Sequence, residues 1–188
     1  MKVSMSGRDL IIEGATNQDI LGGSFRNFAG IERKDPHTGR IVNSKGKRSF
    51  NLRIPDEYVD IFKQNGANIK EFGGNPDEGE PPIRFTKINV NTDSSNRPPK
   101  IQIIKNNNKL EELPVTMYGQ LDGMFVENCD MVMNFYHKYD PASIYLNLMI
   151  VKPHMDPISA KYSALMDDAG IDPNAPDVCH DDDAEMPF

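Results

Sequence analysis

With 188 residues, 38% of them hydrophobic, the chain has apolar material for one modest core plus an appendage, which excludes a pair of full domains. Its formal charge of −7 would by itself argue against a nucleic-acid partner, but Asp167 to Phe188 holds eight acids and no Lys or Arg, so this segment carries −8 and residues 1–166 carry +1. The longest apolar stretch, around Ile144 to Val151, is interrupted by Asn147 and falls far short of the ~20 residues that span a bilayer.

Taken in chain order, residues 1–22 are polar apart from Leu10, Ile11 and Ile12, and the N-terminus lacks the apolar core of a secretory signal. Gly22-Gly23 then opens a β-like stretch, Ser24 to Ile31, and Asp35 to Gly39 is a turn signal. Ser49 to Ile54 alternates, with Phe50, Leu52 and Ile54 on one face and Ser49, Asn51 and Arg53 on the other, the pattern of a half-buried strand. Pro55 suits the first position of a short helix, along which Tyr58, Ile61 and Phe62 recur at helical spacing until Asn65-Gly66 ends it.

Gly73 to Pro82 is a loop rich in Gly, Pro and acids. Strands are expected at Ile83 to Val90 and Lys100 to Lys105, joined by a polar connection, with another turn at Asn106 to Asn108. Leu113 to Leu121 has room for one or two helical turns. Asp130 to Lys138 and Ser143 to Val151 make a pair of strands around Tyr139 to Ala142, with Ile144, Leu146, Leu148 and Ile150 on one face. Five or six short strands and one good helix predict a mainly β domain, a sandwich or a partly open barrel. The domain is expected over residues 1–160, followed by a disordered acidic tail over 161–188.

The chemistry concentrates in two places. Residues 24–53 contain Arg26, Arg33, Lys34, Arg40, Lys45, Lys47, Arg48 and Arg53, interleaved with Phe25, Phe28 and Phe50. Basic side chains beside strand aromatics suit single-stranded nucleic acid, the charges following phosphates and the rings stacking on bases. Arg84, Lys87, Arg97, Lys100 and Lys105 form a thinner second set. The competing reading is a solvated hairpin tip over core phenylalanines. Phe50 shares its parity with Leu52 and Ile54, so it belongs to the core. Phe25 and Phe28 have opposite parity, so without a bulge only one of them can be core, leaving the other to stack.

The second place is the end of the chain, where Asp181, Asp182, Asp183 and Glu185 lead to Pro187 and a terminal Phe188. An apolar side chain behind a run of carboxylates suits a hook that fills a partner's pocket while its charges meet Lys or Arg around it. A merely solubilising acidic terminus is the alternative.

Enzymatic patterns are weak. The chain has no Walker-type phosphate loop and no dinucleotide fingerprint, and Cys179-His180-Asp181-Asp182-Asp183 lacks the second ligand pair of a structural zinc site. Asp56, Glu57 and Asp60 fit the first turns of a helix, where acids favour the dipole. The expectation is a non-enzyme without metal or cofactor. Cys129 and Cys179, far apart in the chain, fit reduced thiols in a cytosol.

Two resemblances sharpen this. The acidic tip is similar to that of bacterial single-stranded-DNA-binding (SSB) proteins, in which such a tip docks replication and repair enzymes. Arg26-Asn27-Phe28-Ala29-Gly30, Arg48-Ser49-Phe50, Asn68-Ile69-Lys70 and Arg97-Pro98-Pro99-Lys100 resemble, in order and spacing over roughly residues 20–155, a family of phage-encoded single-stranded-DNA-binding proteins. That resemblance implies an OB (oligonucleotide/oligosaccharide-binding) fold, a five-stranded, partly open Greek-key barrel with one or two short helices. It also implies sequence-independent binding and protection of single-stranded DNA in replication or recombination, in the cytoplasm of a host cell; a homo-oligomer stays open, since the sequence does not set the oligomeric state.

The expected DNA contacts are Phe25, Arg26, Phe28, Arg33, Lys34, Lys45, Lys47, Arg48, Arg53, Arg84, Lys87, Arg97 and Lys100. Replication or recombination proteins are the expected partners of Asp181, Asp182, Asp183, Glu185, Pro187 and Phe188. Two other functions stay open: an acidic adaptor or inhibitor that mimics DNA, and a metal-dependent recombination nuclease. Neither composition nor spacing separates DNA from RNA.

Overall fold

The computed structural model describes residues 1–22, 25–74, 79–93, 98–105, 108–138 and 140–154. Arg97 and the whole acidic tail, with Asp181, Asp182, Asp183, Glu185, Pro187 and Phe188, lie outside the described residues.

The chain opens with a hairpin, β1 (Lys2–Ser6) and β2 (Asp9–Ala15), in which Val3 faces Ile12 and Met5 faces Leu10. Gly7 makes the turn at φ 62°, a conformation that costs a residue with a Cβ. The short strands β3 (Arg26–Asn27), β4 (Arg33–Lys34) and β5 (Ile41–Asn43) follow. Strands β4 and β5 form a separate two-stranded ribbon. Its connection contains the expected turn, where the Asp35 carboxylate accepts the backbone N–H groups of His37 and Thr38 at 2.9 and 2.8 Å.

Strand β6 (Arg48–Arg53) has the anticipated polarity, with Phe50 and Leu52 fully buried and Arg53 exposed. A 3-10 turn at Asp56–Tyr58 runs into α1 (Val59–Gln64), which buries Val59 and Phe62 in the core. Gly66, at φ 71°, ends the helix as Asn65-Gly66 implied.

Next come β7 (Ile69–Phe72), β8 (Ile83–Val90), β9 (Lys100–Ile104) and β10 (Leu110–Glu112), then a 3-10 segment at Val115–Asp122 where one or two helical turns were expected. The long strands β11 (Val126–Tyr136) and β12 (Ser143–Pro153) complete the body.

Ten strands share one sheet, whose main path runs β1-β2-β11-β12-β8-β6-β3. β12 pairs in parallel with β8 at its start, through Ile144 and Tyr145, and with β9 from Leu148 to Val151. The path does not return to β1, so the sheet stays open. The result is mainly β with short helices, consistent with a partly open OB-like barrel. Strands β1, β2, β7 and β10 extend it beyond the five or six strands read from the sequence.

One expected face is wrong. Ile144 and Leu146 are buried, but Met149 and Val151 take the inward positions after them. The register steps from Val132↔Leu148 to Met133↔Leu146, so Asn147 is an extra residue, a bulge that inverts the alternation beyond it. Among the described residues, no helix is long and apolar enough to cross a membrane.

Candidate nucleic-acid interface

Directly opposed residues in a ladder share a face, so the register of β6, β8 and their neighbours defines the surface turned away from the core. Three cross-strand rows lie on it. Arg53 of β6, Phe85 of β8 and Lys70 of β7 form the first. Asn51 and Lys87 form the second. Asn27 of β3, Ser49, Asn89 and Tyr145 of β12 form the third. The intervening positions, Phe50, Leu52 and Ile88, point into the core.

At one end of this face Phe25, Phe72 and Phe85 pack together. Phe25 stacks on Phe72 with ring centroids 5.2 Å apart, and Phe85 meets the two edge-on at 5.7 and 5.4 Å. Beside them opens a cleft of about 390 Å³ whose walls include Phe25 and Phe85, Arg33 and Asn43 from the ribbon, and Lys70 and Lys87 from the sheet. Among the described residues lining it, three are cationic and none is a carboxylate. Partial burial, and then the nearby charge of Lys70, pull the Lys87 pKa below its ordinary value, which marks a place where an anion would be welcome. A second cleft of about 330 Å³ shares Val42, Asn43 and Lys87 with the first and continues past Lys47, Arg48 and Asn89 to Tyr145, with Asp93 also in its lining.

The residues singled out from the sequence therefore separate. Phe25, Arg33, Lys47, Arg48 and Lys87 line the two clefts, and Arg53 shares their face. Arg33 also reaches back to donate to the carbonyl of Arg26. The Arg48 guanidinium donates to Thr92 Oγ1 at 2.7 Å, so part of it is occupied in holding the 90–93 segment. Lys34 is exposed and bridged to Glu32 at 3.4 Å, and Lys45 is exposed in the turn before β6.

Three expectations need correction. Arg26 is 2% exposed. Its guanidinium donates to the carbonyls of Leu21, Leu121, Met124 and Ile20 and to Asn17 Oδ1, at 2.6–3.4 Å. Burial lowers its pKa and the Asp122 charge opposes that shift, so it is a structural cation with no fork left for a phosphate. Phe28 is 1% exposed and stacks on Phe50 at 5.2 Å; it is the core member of the Phe25/Phe28 pair.

Arg84 is taken up by Glu71 at 2.7 Å and Asp56 at 2.6 Å, on the opposite face from Phe85. Lys100 needs no such correction: like Lys34 and Lys45 it is exposed, here on β9 in register with Leu148, and lines neither cleft.

Sequence reasoning missed Lys70, Phe72, Phe85, Asn51 and Tyr145. Asn51 stood on the polar side of the alternating strand, and Lys70 within Asn68-Ile69-Lys70, but nothing local tied either to Phe25. Phe72 and Phe85 come together only through the pairing of β7 with β8.

No family model, curated protein or solved structure matches this chain.

Proposed function

We propose that the outer face of β6, β7 and β8 is a groove for single-stranded nucleic acid, and that the protein binds and protects single-stranded DNA without sequence preference during phage replication or recombination. One observation carries the reading: the cleft beside Phe25 and Phe85 is lined by Arg33, Lys70 and Lys87 and, among the described residues, by no carboxylate. Phe25 and the 37%-exposed Phe72 supply the ring surface, with Phe85, 9% exposed, packed edge-on against them; ring surface for any base next to cations that follow the backbone makes the two components of sequence-tolerant single-strand binding. The similarity of Arg26–Gly30, Arg48–Phe50 and Asn68–Lys70 to phage-encoded single-stranded-DNA-binding proteins supports it. The +1 body set against the −8 of Asp167 to Phe188 supports a tail that competes with DNA for the groove and recruits replication or recombination proteins through Phe188. The positive cleft speaks against a DNA mimic.

The test is fluorescence anisotropy with a labelled oligothymidylate, the same length of duplex DNA and an RNA oligomer, over a salt series. Single-stranded DNA should bind more tightly than duplex, with a log–log salt slope of roughly −0.7 per phosphate neutralised. Changing Lys70 and Lys87 together to Ala should make that slope shallower. Equal affinity for duplex, or a slope that the double variant leaves unchanged, overturns the assignment of the groove.

A further inference from the structure

We infer that the groove contains a second base-stacking subsite, centred on Tyr145, and that a bound single strand runs from the phenylalanine cluster across Lys87 to it; this rests on the reading of the groove given above. Tyr145 points away from the core, since its neighbours Ile144 and Leu146 are the buried ones, and it shares its cross-strand row with Asn89 and Asn134. Its ring meets Tyr136 edge-on at 6.1 Å with planes 85° apart, and its cross-strand neighbour Asn89 donates to the Ile144 carbonyl at 3.1 Å, tying β8 to β12. A ring carried on a sheet surface and lining a cleft can stack on a base.

The two clefts meet at Lys87, Val42 and Asn43. Phe85, Lys87 and Asn89 alternate along one strand, so the phenylalanine end and the Tyr145 end are separated by about 13 Å of β8 at ~3.3 Å per residue. That leaves room for one strand to place a base at each end and a phosphate near the lysine between them. Lys47 and Arg48 line the Tyr145 end as well and outnumber Asp93 there. The ligand class is an extended oligonucleotide long enough to cover both clefts, and its phosphate at Lys87 serves both.

The experiment uses the full chain with oligothymidylates of about two nucleotides, too short to reach both ends, and about sixteen nucleotides, comparing wild type, Tyr145→Ala, Tyr145→Phe and Lys70→Ala. Tyr145→Ala should weaken the longer oligomer roughly ten-fold and hardly affect the shorter, which has the phenylalanine cleft to itself. Tyr145→Phe should retain binding, and Lys70→Ala should weaken both lengths. Photo-crosslinking of wild type to a 5-iodouracil-substituted long oligomer gives a readout independent of variant folding, with the adduct expected on Tyr145. If Lys70→Ala weakens binding while Tyr145→Ala does not and no adduct forms at Tyr145, the second subsite is wrong and the first groove stands. If wild type binds neither oligomer, the reading of the groove fails and the subsite with it.

Discussion

The rings of Phe25 and Phe72 stack with centroids 5.2 Å apart and planes at 22°, although one precedes β3 and the other closes β7. Phe72 is 37% exposed, so the stack is a surface feature, whereas the stacked pair Phe28 and Phe50 is sealed in the core. The two pairs should respond differently to truncation. Phe72→Ala should leave urea unfolding within about 1 kcal/mol of wild type and weaken single-stranded DNA binding by ~1–3 kcal/mol. Phe28→Ala should cost ~3–5 kcal/mol of stability, with any loss of binding following the loss of fold. If Phe72→Ala destabilises as strongly as Phe28→Ala, the exposed stack is structural.

This contrast also marks what the sequence could disclose. Parity along a single strand was legible, and it put Phe50, Leu52 and Ile54 inside and Arg53 outside. It also required Phe25 and Phe28 to part company. Across strands the signal fails. The bulge at Asn147 inverts β12, yet in the sequence Asn147 reads only as a polar break in an apolar run, and the first hairpin looks like polar chain because its partner, β11, lies far away in sequence. The basic run around Arg26 and Arg53 gave no means of telling a phosphate contact from a buried brace, since that distinction rests on the carbonyls of Leu121 and Met124, contributed by a distant segment.

That brace is the next test. Arg26 joins the carbonyls of Ile20, Leu21, Leu121 and Met124 to Asn17, while Asp122 accepts the backbone N–H groups of Phe28 and Ala29 at 2.7 and 3.0 Å. Together they fasten the 3-10 segment to β3. Arg26→Ala strands several buried acceptors and should cost ~3 kcal/mol or more in urea or thermal unfolding. Arg26→Lys should rescue little, because an ammonium cannot reproduce the planar fork. A variant that keeps wild-type stability but loses DNA binding would return Arg26 to the groove.

Cys129 gives a pH signature. Burial, then the charge of Asp130, push its thiol well above the ordinary range, and Arg26 offsets this only in part. Above about pH 8.5 an unfolded thiol ionises while the folded one holds its proton. The unfolded state then binds fewer protons, so stability should fall as pH rises, by up to ~1.4 kcal/mol per pH unit from this group. Urea unfolding between about pH 8 and pH 10 should show the decline, and Cys129→Ala should reduce its slope. In a Cys179→Ser background, a thiol reagent should label Cys129 only as fast as the protein opens. Rapid labelling of the native protein would contradict the burial.

The tail provides the last test, because its charge acts whatever conformation it takes. In the proposed competition, the eight acids with no base between Asp167 and Phe188 are attracted to positive surface such as the cleft of Arg33, Lys70 and Lys87. At 0.01 M salt the Debye length is ~30 Å, against ~10 Å at 0.1 M and ~3 Å at 1 M, so the attraction reaches far beyond contact at low salt and is screened to contact at high salt. Deleting Asp167 to Phe188 should therefore tighten single-stranded DNA binding at low salt and change it little at high salt. Removing Phe188 alone keeps every acidic side chain, so DNA affinity should barely move, while capture of a replication or recombination partner should drop because the pocket anchor is gone. Unchanged low-salt affinity after the full deletion would end the competition model. Undiminished partner binding without Phe188 would reduce the tail to a solubilising segment.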